Sequence, residues 1–120
     1  MAVRALRGAT TVEQDTPAHI TPRVQQLVEQ LLARNDISHD DLISMVFTVT
    51  EDISSMFPAA AARAMGLGDV PLLCAREIPV QGSTPLCIRL LVHAESNRAR
   101  SALHHVYLEG ARGLRDDLPD

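Results

Sequence analysis

A chain of 120 residues, 46% hydrophobic and 22% charged, has enough apolar surface for one core, so a single domain over residues 1–120 is expected rather than disorder. A net charge of −4 and an aromatic content of 2% argue against nucleic acid as a partner, which calls for a basic face or stacking rings. The apolar runs are too short for a membrane span and the opening lacks a signal peptide's apolar stretch, so a cytoplasmic protein with no membrane partner is expected.

Val3–Val12 alternates partially and carries β-branched residues, which predicts a first strand with Val3, Ala5 and Arg7 on one face. Ile20, Val24, Leu27, Val28, Leu31 and Leu32 then recur as one helical stripe. Its start is open between Thr16-Pro17 and Thr21-Pro22, since each pairs a capping residue with a proline suited to the first turn. Asn35 and Asp36 end it, and Ser38–Asp41 reads as a capped short turn. Ile43–Thr50 alternates as a second strand. Pro58 opens a second helix running to Met65, with Gly66 as its stop.

Val70–Val80, interrupted by Pro79, and Leu86–Ala94 read as strands joined by the turn residues Gln81–Pro85. His104–Leu108 reads as a last strand, and Asn97–Ala102 as loop or a short helical turn. The order β-α-β-α-β-β-β predicts an α+β fold, a mixed sheet with two main helices packed on one face. A sheet of about five strands with two helices leaves its other face uncovered, and an oligomer would bury it.

All 11 basic residues are arginine, a type suited to planar carboxylates. Arg7, Glu77, Arg89 and Tyr107 fall within or at the ends of predicted strands, where each taken singly is also an ordinary solvated residue. Cys74 and Cys87 sit in apolar strand segments without metal-ligand spacing, as buried free thiols would. His104 and His105 are adjacent and would point to opposite faces of a strand, which makes no metal pair. No nucleophile elbow, phosphate loop, zinc motif or dinucleotide fingerprint occurs, so no metal and no cofactor are expected.

The opening Val3-Arg4-Ala5-Leu6-Arg7-Gly8-Ala9-Thr10-Thr11-Val12-Glu13 resembles the R-G-(I/L)-R-G-A-T-T-V-E opening of the AroH-class chorismate mutases, the small trimeric bacterial kind. The likeness continues in order through Phe57-Pro58-Ala59 with Ala62-Arg63, Val70–Glu77, Cys87-Ile88-Arg89, His105–Glu109 and Leu114-Arg115-Asp116. It covers residues 3–118. Two departures stand out: Ala60 replaces a lysine that relatives often carry at the rim of the site, and the Gly66–Asp69 loop is one residue shorter than in some of them.

The resemblance implies a trimeric pseudo-α/β-barrel of the bacillus chorismate mutase type, with three equivalent sites between subunits. It implies that Arg7 and Tyr107 hold a substrate carboxylate and that Arg89 faces the ether oxygen and a carboxylate. Glu77 and Cys74 would engage the ring hydroxyl. Phe57, Ala59, Arg63, Leu73 and Cys74 would come from the neighbouring subunit, and Leu114 and Arg115 from a mobile C-terminal segment. The implied reaction turns chorismate into prephenate without a cofactor, in phenylalanine and tyrosine biosynthesis. That reaction transfers no proton and forms no covalent intermediate, which suits a chain rich in arginine without a nucleophile–base pair. A trimeric small-molecule-binding module, or an enamine/imine hydrolase of the same architecture, is the alternative.

Overall fold

The computed structural model describes residues 1–114. Its first strand, β1 (Ala2–Thr11), sends Leu6, Gly8 and Thr10 into the core and turns Val3, Ala5 and Arg7 to the opposite face. Helix α1 (Pro17–Arg34) starts at the earlier of its two candidate caps. The Thr16 hydroxyl accepts the His19 N–H at 3.3 Å, and Pro17 takes the first helical position. Pro22 lies inside the helix on its exposed side, where the carbonyl deprived of a partner can meet water. Ile20, Val24, Leu27, Val28 and Leu31 form the buried stripe.

Strand β2 (Leu42–Val49) buries Met45, Phe47 and Val49 and leaves Ser44, Val46 and Thr48 on the other face. Helix α2 (Pro58–Ala62) is shorter than the sequence suggests. It widens into a π-helical turn, Arg63–Leu67, which Gly66 breaks with φ of 89°. Strands β3 (Leu72–Arg76), β4 (Cys87–Ser96) and β5 (Val106–Tyr107) complete the sheet.

The sheet order is β3-β2-β4-β1-β5. β4 is antiparallel to both β1 and β2, whereas β5 and β3 run parallel to their neighbours β1 and β2. The expected mixed α+β sheet is therefore present. Two strands shrink relative to the sequence reading. Pro71 and Pro79, just inside the ends of Val70–Val80, flank the observed strand Leu72–Arg76; proline has no N–H to give the ladder. His104 and His105 drop out of the last strand because Asn35, 1% exposed at the end of α1, clamps the His104 backbone. Its side chain accepts the His104 N–H at 2.7 Å and donates to the His104 carbonyl at 2.8 Å.

Both helices cover the face carrying Leu6, Phe47, Ile88, Leu90 and Val92. Each such side chain, taken out of water, contributes roughly 1.5–3 kcal/mol. The other face carries Ala5, Arg7, Val46, Leu91 and His93. Among the described residues it is closed at one end alone, where Tyr107, Ala111 and Leu114 pack over Ala9 and Cys87. No described helix is long and apolar enough to cross a membrane.

Candidate active site

The open face holds a groove of about 240 Å³, lined by Arg7, Ala9, Val46, Thr48, Arg89, Leu91 and Tyr107. Pairing register brings these together. Arg89 on the central strand β4 stands opposite Ala9 of β1 on one side and Thr48 of β2 on the other, and Leu91, one step along the same face, stands between Arg7 and Val46. The apolar side chains give the groove low-polarity walls, where a fixed charge acts more strongly than in water.

Glu77 anchors the central arginine. Its N–H continues the β3 ladder to the Val49 carbonyl at 2.9 Å, which keeps its side chain over β2. Its Oε2 accepts the Thr48 hydroxyl at 2.7 Å and lies 3.2 Å from Arg89 Nε. Behind this pair, burial pushes the Cys87 thiol up, against the opposing pull of the Arg89 charge, so the sulfur stays protonated at neutral pH and is no nucleophile. Arg7 is held differently: its backbone N–H donates to His105 Nδ1 at 2.9 Å.

A second cleft, of about 500 Å³, lies toward the helix side of β3 and is lined by residues including Met56, Phe57, Pro58, Ala60, Cys74 and Arg76. Its loop is pinned from both ends. The Asp15 carboxylate accepts the Ser54 and Ser55 N–H groups at 3.0 Å each, and Arg76 Nη1 donates to the Thr50 and Ile53 carbonyls at 3.1 Å each. Phe57 protrudes from it, 69% exposed.

The anticipated residues thus fall into two groups. Arg7, Arg89 and Tyr107 share the groove, with Glu77 joined to Arg89; Phe57 and Cys74 share the cleft, and Arg63 lies exposed where α2 widens. Ala59 departs from expectation. One residue's rotation about α2 buries it in the core, 4% exposed, and gives its place in the cleft to Ala60. Leu73 lies in neither, exposed on the open face because strand alternation turns it away from Cys74. Cys74 is half-buried rather than buried. Leu114 packs against the Ala9–Cys87–Ala111 cluster, and Arg115 lies outside the described residues.

Thr48, Asp15, Arg76 and His105 escaped the sequence reading. Thr48 alone left a signal, as the polar member of an alternating strand; the others act on backbone far away in the chain. Among the described residues no group of three or more His, Cys, Asp or Glu side chains could hold a metal ion.

The family model described as chorismate mutase type I matches residues 3–118. The chain is 48% identical over 117 residues to a chorismate mutase AroH from Thermus thermophilus, covering 97% of this chain and 96% of that one. It is 37% identical over 119 residues to a chorismate mutase AroH from Bacillus subtilis, covering 98% and 94%. Among solved structures, a chorismate mutase from Clostridium thermocellum superposes with a TM-score of 0.89 at 42% identity, covering 91% of this chain and 97% of that one. None of these matches supports the binding-module or enamine/imine hydrolase alternative.

Proposed function

The chain belongs to the type I chorismate mutase family, and we propose that it rearranges chorismate to prephenate in the Arg7–Arg89 groove, completed by the Phe57–Cys74 cleft of a second copy. As a chorismate mutase it serves aromatic amino-acid biosynthesis. The observation that carries the site assignment is the Glu77–Arg89 pair, a guanidinium oriented by a carboxylate on the central strand of a largely apolar groove.

The chemistry asks little of side chains beyond placement and charge. One C–O bond breaks as one C–C bond forms within a single molecule, and no proton moves. A flexible enolpyruvyl arm must be held over the ring, which converts lost freedom into rate. Arg7 and Tyr107 do this by holding a carboxylate of the dicarboxylate substrate, with arginine matching its planar shape. Arg89 faces the ether oxygen as its bond stretches and negative charge collects there. Glu77 holds Arg89 and, with Cys74 from a neighbour, meets the ring hydroxyl.

This division of labour favours a homotrimer. Cys74 packs toward the helix side of the sheet, whereas Glu77, three residues on, faces the groove. One copy therefore presents two half-sites separated by its own sheet. Phe57, Arg63 and Cys74 serve a neighbour's groove from the cleft side, Leu73 serves it from the edge strand on the open face, and Leu114 closes the groove. The two free thiols support a cytoplasmic enzyme.

The test is the ultraviolet absorbance of chorismate, which fades on conversion. Chelator-treated pure protein is expected to turn it over; no conversion at high enzyme concentration overturns the reading.

A further inference from the structure

We propose that His105 is a positioning residue for Arg7: its neutral ring holds the Arg7 backbone through Nδ1, so the groove is correctly formed only while that ring is unprotonated. The inference rests on the reading of Arg7 as the residue that binds a substrate carboxylate.

The geometry begins with the shortness of β5, which pairs Val106 with Gly8 and Tyr107 with Ala9 and goes no further. At Arg7 the ladder has ended, and the ring of His105 accepts the N–H at 2.9 Å in place of a strand carbonyl. The backbone just before the ring is held to the core. Asn35 grips the preceding residue from both sides and donates to the Leu31 carbonyl at 2.7 Å, so α1, His104, His105 and Arg7 form one connected chain of contacts.

The bond tolerates only one protonation state. Nδ1 accepts a hydrogen bond when the ring is neutral with its proton on Nε2; in the imidazolium both nitrogens donate, and two N–H groups would face each other. The surroundings oppose that second proton. A hollow of about 430 Å³ beside the ring is lined by Arg4 and Arg7 of β1, His93 of β4 and Arg100 of the short turn Arg100–Ala102, without a carboxylate among its lining residues. Burial, and then the neighbouring His104, lower the affinity of His105 for a proton. The bond is therefore intact at neutral pH and is lost only on the acid side of the ordinary imidazole range.

The experiment is steady-state kinetics against pH on the whole protein and on Arg7→Ala, His105→Leu, His105→Asn and the Arg7→Ala/His105→Leu double variant, with circular dichroism as the check on folding. His105→Leu leaves the Arg7 N–H without this partner and is expected to raise KM up to roughly tenfold, about the weight of one lost hydrogen bond. His105→Asn places a non-titrating acceptor near the position of Nδ1, so it should recover most of that loss and abolish the rise in KM expected of the unaltered protein on acidification. In the Arg7→Ala background, His105→Leu should add nothing. If Arg7→Ala leaves KM unchanged, the carboxylate-binding reading of the groove falls. If Arg7→Ala raises KM but His105→Asn keeps the acid limb, or His105→Leu keeps the original KM, the role of His105 falls alone. Should His105→Leu fail to fold, the pH profile of His105→Asn decides by itself.

Discussion

Glu77 and Arg89 meet across β2: the carboxylate Oε2 lies 3.2 Å from Arg89 Nε, and the Thr48 hydroxyl of the strand between them donates to the same oxygen at 2.7 Å. The arginine side chain is still 47% exposed, so the pair adds only about 0–1 kcal/mol to stability. Its value is orientation. A side chain with four flexible torsions is given one direction by a neighbour that the Val49 carbonyl and Thr48 hold in turn.

Losing Arg89 should therefore show in the chemical step. Removing one neutral donor at a developing oxyanion costs about 2.7–4 kcal/mol, or roughly 10²–10³ in rate, and a full charge should cost at least the upper end. Arg89→Ala is expected to lower kcat by that factor with a smaller change in KM. Arg89→Lys, which keeps the charge without the planar fork, should recover only part. A kcat within about tenfold of the original, roughly 1.4 kcal/mol, would make Arg89 a binding residue instead.

Glu77 predicts a graded series. Glu77→Ala frees the Arg89 fork and should lower kcat, while Glu77→Gln retains an acceptor oxygen and should lie between the two. Circular dichroism and denaturant midpoints should stay close to the unaltered protein, because the Arg89 side chain left without its partner is already about half in water. A large loss of stability, rather than of rate, would contradict the orienting role.

Two half-sites on one chain predict complementation. Arg7→Ala spoils the groove and Cys74→Asp the cleft, so either variant alone should be inactive or weak. Refolded together they should regain a fraction of activity, since some interfaces then combine an intact groove with an intact cleft. Light scattering on the active protein should return three times the chain mass. No recovery from the mixture, or a monomer mass for active protein, would contradict the shared site.

Gly8 predicts a stability effect. A Cβ there would lie 3.0 Å from Leu27 Cδ1 and 3.2 Å from the Val106 carbonyl oxygen. The leucine tip can shift, but the carbonyl belongs to β5 and can move only with that strand. Gly8→Ala should thus cost about 1–3 kcal/mol of overpacking. Urea unfolding would read this as a lower midpoint at unchanged slope; an unchanged midpoint would show that β5 yields freely.

Asp15 predicts the direction of a pH effect. Its carboxyl is held below the usual range, above all by the Ser55 hydroxyl; burial opposes this, and the Ser54 and Ser55 N–H groups add to the lowering. The folded chain therefore binds this proton less readily than the unfolded one. Its stabilisation is complete above the unfolded-chain value and is lost as pH falls through the folded one. Asp15→Asn should unfold at lower urea than the unaltered protein at neutral pH, and the gap should narrow on acidification. A gap that stays constant with pH would show that the carboxylate charge contributes nothing.

The parts of this fold legible in sequence are those ruled by local period. Met45, Phe47 and Val49 alternate, Ile20 to Leu31 recur as a stripe, and both patterns placed the right faces inward. Lengths failed where a distant partner decides them. Nothing local in His104–Leu108 reveals that buried Asn35 will hold His104 off the strand, and the alanines of α2 offer no contrast to say whether Ala59 or Ala60 turns inward. Arg7, Glu77 and Arg89 were each visible as charges on strands. Their convergence depends on the register between β1, β2 and β4, which family resemblance anticipated and residue-level reasoning could not.

The strand order also dictates when the enzyme can exist during its own synthesis. β1 is made first, yet both its partners come late: Thr11 pairs with Cys87, Ala2 with Ser96 and Gly8 with Val106. Until those residues emerge from the ribosome, the opening strand has no edge to join, and α1 has no completed sheet to cover. Long loops must close before any of these pairs forms, so the sheet is expected to assemble slowly and only once Cys87–Tyr107 are available. A nascent chain stalled before Cys87 should stay sensitive to protease along β1, whereas one released past Tyr107 should protect it.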